Sequence, residues 1–205
     1  MRFKTLHLPF LVSGMVLLAT PVLADSPART RGTVEKIDGN TLTVKPRDGG
    51  ASVAIKLADT WAAGGVVKAS MTDIKPGVFV GVASIPTAGS VDDLEALELV
   101  VFPEAMRGSN EGHYAWDLQP KSMMTNANVT SKVEGVKGQT LTLSYNGGER
   151  KVTLPPETPI VTFAPATKDD VKPGAAVFVP ATKKDDGTLT ASRVLVGKDG
   201  VVPPM

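Results

Sequence analysis

The sequence predicts an all-β protein of two tandem five-stranded OB-like barrels joined by an ordered linker. Three observations carry that prediction. Apolar residues recur with a period of two, which lays one face of a strand on a core and the other in water. Glycine and proline, 20 and 16 of the 205 residues, punctuate short runs with turn signals. The third observation is an internal repeat. Val34-Glu35-Lys36-Ile37-Asp38-Gly39-Asn40-Thr41-Leu42-Thr43-Val44 lines up with Val133-Glu134-Gly135-Val136-Lys137-Gly138-Gln139-Thr140-Leu141-Thr142-Leu143. Asp73-Ile74-Lys75-Pro76-Gly77 then matches Asp170-Val171-Lys172-Pro173-Gly174, and Val-Phe-Val follows at Val78–Val80 and Val177–Val179. Leu94-Glu95-Ala96 echoes Leu189-Thr190-Ala191. Matching blocks in the same order mark a tandem duplication.

In chain order, residues 1–24 read as a secretory signal peptide. Arg2 and Lys4 give a positive start, Leu6 to Leu18 is largely apolar, and Val22 and Ala24 form a small-residue cleavage site before Asp25. The expected location is therefore periplasmic or secreted, with no stable membrane span after cleavage. Removing the segment leaves 20 basic and 21 acidic residues. Such neutrality argues against a nucleic-acid partner, whose backbone is bound through an excess of basic side chains. The absence of Cys excludes a disulfide framework and thiolate chemistry.

The first barrel is expected over 31–102. Leu42 and Val44, then Val53, Ile55 and Leu57, alternate with polar or small neighbours, and Asp38-Gly39-Asn40 and Asp48-Gly49-Gly50 make the turns. A wider gap containing Trp61 follows. Lys75-Pro76-Gly77 reverses the chain into a fourth strand, and Glu95 to Val101 forms the fifth. The second barrel, 131–197, repeats the scheme with Leu141, Leu143, Val152 and Leu154, and 198–205 forms a tail. Five short strands in about 70 residues suggest a small closed barrel. A β-sandwich with shared sheets is the main alternative.

The pattern Gly-x-Val-x-x-Ile-x-Gly-x-x-Leu-Thr-Val, with Asp-Ile-Lys-Pro-Gly-x-x-Val and Leu-x-Ala after it, resembles a family of secreted bacterial β-barrel domains of unknown function. Members of that family often occur as OB-like repeats, and the resemblance covers roughly 31–102 and 130–197. Its motifs are turn and strand signals, so what it implies concerns fold. Longer relatives carry an automatic label as metal-transporter permeases. A permease needs several membrane spans, so for this chain the label implies a metal-related neighbourhood at most.

Chemistry concentrates in the segment between the copies. Residues 103–130 have no counterpart in the repeat, yet they hold His113, Tyr114, Trp116, Met106, Met123 and Met124. A mere spacer is rich in Gly, Ser and Pro and poor in such side chains. Met106, His113, Met123 and Met124 are the soft and borderline ligands that copper uses, with Glu104, Glu111 and Asp117 as further oxygens. The alternative is that Trp116, Tyr114 and the methionines pack the gap between two barrels, with His113 hydrogen-bonded beside them. Trp61, Tyr114, Trp116 and Asp117 are the candidate ligand or partner surface, since exposed aromatics on OB-like barrels stack on ligands. No nucleophile elbow, zinc-protease helix or phosphate loop is present. A hydrolase would have to pair His113 with Ser109 or Ser122. The sequence thus points to an exported, non-catalytic binding protein, with copper at the linker as one ligand and an envelope scaffold or partner-binding module as the alternative.

Overall fold

The computed structural model describes residues 25–87 and 93–205; the expected signal segment, 1–24, lies outside them. The described chain is all β. Its strands are β1 (Ser26–Asp38), β2 (Thr41–Pro46), β3 (Val53–Lys68), β4 (Phe79–Pro86), β5 (Asp93–Val101), β6 (Gly112–Ala115), β7 (Met123–Gly135), β8 (Gly138–Tyr145), β9 (Gly148–Leu154), β10 (Ile160–Pro165), β11 (Ala176–Lys183) and β12 (Leu189–Gly197). Single 3-10 turns interrupt them at Met71–Asp73, Glu104–Met106 and Lys168–Asp170.

The period-two pattern is realised residue by residue. Leu42, Val44, Ile55 and Leu57 turn inward in the first copy, and Leu141, Leu143, Val152 and Leu154 do so in the second. The Lys-Pro-Gly turns also do what their chemistry requires. Gly77 and Gly174 sit at φ +90° and +87°, a left-handed region that a side chain strains to adopt.

The strands join in the order β12-β11-β1-β2-β3-β10-β5-β4-β7-β8-β9, and two further pairings bend this path back on itself. β12 pairs in parallel with β3, which closes β1, β2, β3, β11 and β12 into a five-stranded barrel rather than leaving the open edges of a sandwich. β5 pairs in parallel with β9 through Asp93–Glu95, which completes a second hydrogen-bonded circuit of β4, β5, β7, β8 and β9.

Neither circuit is built from one copy. The barrel takes β1–β3 from the first repeat and β11–β12 from the second; the other circuit takes β7–β9 from the second repeat and β4–β5 from the first. The expected barrels, each confined to 31–102 or 131–197, differ from this pairing, because each copy sends its last two strands to its neighbour. The crossing contacts are reciprocal. Gly77 N–H donates to Val129 O and Gly174 N–H donates to Val34 O, both at 2.8 Å. Likewise Val129 N–H donates to Val78 O and Val34 N–H to Ala175 O, both at 2.9 Å. The second half of β3 and β10, which hold equivalent places before the capped turns at Ser70 and Thr167, pair antiparallel about Val66 and Phe163. The contacts that each copy makes with its neighbour are thus returned in kind.

One repeat block is out of step with the structure. Val34 aligns with Val133 in sequence, yet Val34 is 1% exposed and Val133 59%. The residue that faces the core in its place is Val129, because Val34 stands opposite Val44 and Val129 opposite Leu143. The β7–β8 hairpin runs on through Glu134↔Gln139 to Gly135↔Gly138, which carries Val133 and Val136 beyond the core. Val129→Ala is therefore expected to cost about 2 kcal/mol in urea unfolding, whereas Val133→Ala stays within about 0.5 kcal/mol.

Three apolar clusters result. One fills the barrel around Val34, Leu57, Val177 and Val194; Trp61 belongs to it, 5% exposed. A second lies within the other circuit around Val80, Leu99 and Val129. The third, Val66, Val100, Val161, Phe178, Leu195 and Met205, gathers side chains from both circuits and lies on their outer faces.

Candidate ligand-binding cleft

Strand alternation decides what the two circuits show each other. Val177 and Val179 point into the barrel, so Phe178 and Pro180 point out; Val194 and Val196 point in, so Leu195 points out. Phe102 continues this surface. Its ring meets Phe79 edge-on at 5.3 Å between centroids and Phe163 at 5.5 Å. Above this apolar floor opens a cleft of about 760 Å³, walled by Phe102, Phe163, Phe178, Met106, Met124, Tyr114 and Trp116 among others. That volume lies within the range typical of small-molecule sites, about 300–1,000 Å³.

The segment between the copies forms one wall. Its final stretch, 123–130, is the first half of β7, and β6 folds back on it with Gly112↔Asn126, His113↔Thr125, Tyr114↔Met124 and Ala115↔Met123. The segment is thus a packed piece, as its aromatic content predicts. The Tyr114 hydroxyl accepts a hydrogen bond from Asn126 Nδ2 at 3.1 Å, and its ring meets Trp116 at 6.2 Å. The Trp116 backbone N–H donates to Ser122 O at 2.8 Å. The Arg29 guanidinium lies 3.9 Å over the indole. Asp117 pairs with Arg31 at 2.7 Å and with Arg29 at 3.5 Å, so the wall is anchored to β1.

Residues facing each other across an antiparallel pair share a face, and neighbours along the strand do not. His113 and Met123 therefore project on one side of the β6–β7 ribbon and Met124 on the other, where it lines the cleft with Met106. The four proposed copper ligands Met106, His113, Met123 and Met124 do not converge. The supporting carboxylates are engaged elsewhere: Glu104 binds Arg107 at 2.6 Å, Glu111 accepts Asn146 N–H at 2.8 Å, and Asp117 holds the arginines. Among the described residues no three His, Asp or Glu side chains gather as a metal site.

His113 shares a 2.8 Å hydrogen bond through Nδ1 with Thr125 Oγ1 and stacks on Tyr145. Burial, with Arg150 nearby, holds its pKa below the ordinary value. Its partner is a threonine, so no pairing with Ser109 or Ser122 is assembled. The Ser122 hydroxyl bonds instead to the carbonyls of Gln119 and Trp116. Trp61 is removed from the candidate surface: it is a core residue, with Lys168 Nζ 4.9 Å from its ring. Tyr114 and Trp116 line the cleft, and Asp117 is their brace.

Sequence reasoning missed several participants. Phe102, Phe163 and Phe178 are apolar positions out of phase with the core pattern, a signal present in the sequence but without meaning until the two outer faces are apposed. Arg31 and Arg47 hold the tail, donating to Met205 O and Pro203 O, and this fastens Met205 against the cleft. Glu98 is the most unusual group. It is 1% exposed, and neither carboxylate oxygen has a hydrogen-bond partner among the described residues. Burial pushes its pKa up to about 7 against the pull of Arg31 and Arg47. Comparison with protein-family models, curated proteins and solved structures finds no match for this chain.

Proposed function

We propose that this chain is an exported, non-catalytic binding protein that holds a small apolar ligand between two OB-like units that share their strands. One observation carries the reading: an apolar cleft of about 760 Å³ whose walls come from both copies and from the one segment that the repeat does not contain. The aromatic residues concentrated in that segment line a cavity, which gives them a use beyond spanning a distance. Export is supported by the positive start, apolar run and small-residue site of residues 1–24. A soft metal finds less support, since only Met106 and Met124 of its four candidate ligands share the cleft.

Nile red, an uncharged apolar dye, tests the reading. It should bind the full mature chain at one site with enhanced emission. Tyr114→Ala should weaken that binding about tenfold, the value of roughly 1.4 kcal/mol of lost aromatic contact, while Tyr114→Phe preserves it. Saturable copper binding that His113→Ala abolishes, without dye binding, would replace this reading with the metal one.

A further inference from the structure

We propose that the ligand of this cleft is an amphipathic monoanion: an apolar acyl or aromatic body on the phenylalanine floor, ending in one carboxylate or phosphate held at Arg193. The inference rests on the cleft reading above and adds the headgroup to it.

The argument comes from the outer face of the barrel. β1, β11 and β12 are neighbours there, and Arg29 stands opposite Pro180. Phe178 faces Leu195 across β11 and β12, and the register then shifts before Thr182 meets Thr190, with Pro180 and Arg193 in the shifted stretch. Arg29, Pro180 and Arg193 line the cleft together with the apolar Phe178 and Leu195. The two arginines differ in what they are free to do. Arg29 is committed, stacked on Trp116 and paired with Asp117. The Arg193 side chain is exposed and has no hydrogen-bond or ion-pair partner among the described residues. Glu111 is the one acidic side chain among the described lining residues, and it already accepts the Asn146 N–H; the terminal Met205 in the lining is held by Arg31. A guanidinium offers a planar fork of N–H donors that matches a carboxylate or phosphate in two parallel hydrogen bonds. An open cation at the edge of an apolar cleft complements a molecule with one anionic end and an apolar remainder.

The experiment titrates the full mature chain with decanoate, decanol and decyltrimethylammonium below their micellar concentrations, followed by tryptophan fluorescence. Decanoate should bind one site about tenfold more tightly than decanol, the size of one charge-assisted contact on an exposed arginine, and decyltrimethylammonium more weakly than either. Arg193→Gln, an exposed change that leaves the fold intact by circular dichroism, should bring decanoate down to the affinity of decanol and leave decanol unchanged. Raised salt should shrink the preference in the parent protein.

Equal binding of decanoate and decanol would overturn the headgroup assignment while leaving an apolar cleft. A decanoate preference that survives Arg193→Gln would overturn the role of Arg193. Failure of all three amphiphiles and of Nile red would overturn the cleft reading as well. Binding to phosphatidylglycerol vesicles without binding of free decanoate would replace the small-molecule proposal with a membrane surface.

Discussion

Glu98→Gln is expected to make the protein more stable at pH 8 and to leave it nearly unchanged at pH 4. The parent carboxyl is buried with no hydrogen-bond partner among the described residues, and burial pushes its pKa in the folded state up to about 7 from an ordinary 4.5. The folded state therefore holds this proton to a higher pH than the unfolded chain does. Stability must fall as pH rises through the window from 4.5 to 7, by about 3 kcal/mol in all, and the loss is complete above it. Glutamine keeps the shape and removes the charge, so the variant escapes that loss. His113 titrates with the opposite sign: burial lowers its pKa, so the unfolded chain gains protons first and stability falls toward acid. Because His113 is common to both proteins, the difference between variant and parent isolates Glu98. Urea unfolding at pH 4, 6 and 8 measures it. Parallel stability profiles for the two proteins would mean that Glu98 is solvated.

Much of the fold was legible because side-chain period is a local property. Leu42, Val44, Ile55 and Leu57, with their counterparts Leu141, Leu143, Val152 and Leu154, were readable as core from alternation alone, and all are buried. The Lys-Pro-Gly turns were readable because Pro sets one dihedral angle and Gly frees the next. The order of the central segment followed from its aromatic residues, whose apolar surface has to be buried.

What alternation does not encode is the partner strand. Two copies with near-identical inner faces accept each other's strands as readily as their own, so the exchange between repeats left little trace in the pattern. One trace is β3 itself. It runs unbroken over Val53–Lys68, long enough to pair with β2 and β12 in the barrel and, at its far end, with β10 as well, whereas Pro155-Pro156 divides the corresponding run into β9 and β10. The Val34–Val133 mismatch arose because residue identity was conserved through a hairpin whose register had moved.

The four copper candidates lie apart for a related reason. Met123 and Met124 look equivalent in sequence, but adjacent strand residues face opposite ways, and that constraint enters only once β6 is known to pair with β7. The cleft was invisible for want of the apposition that creates it. Glu98 was one acidic residue in an apolar strand, and its burial depends on what covers the outer face of β5.

The second large effect concerns connectivity. The chain can be opened at Gly108, an exposed glycine at φ +80° with nothing packed where a side chain would stand, by inserting a site for a specific protease. Cleavage there parts the two copies covalently, yet the barrel still needs β1–β3 from one fragment and β11–β12 from the other. The second circuit makes the reciprocal demand. Folding becomes bimolecular, so the melting temperature of the nicked protein should rise with its concentration, which that of the intact chain does not. The direct readout is size-exclusion chromatography of the nicked protein under native conditions. Interlocked copies predict a single folded species with the mass of the whole chain, separating only in denaturant. Two folded species, each with the mass of one fragment, would show that every barrel is completed within its own copy and that no cleft is held between them.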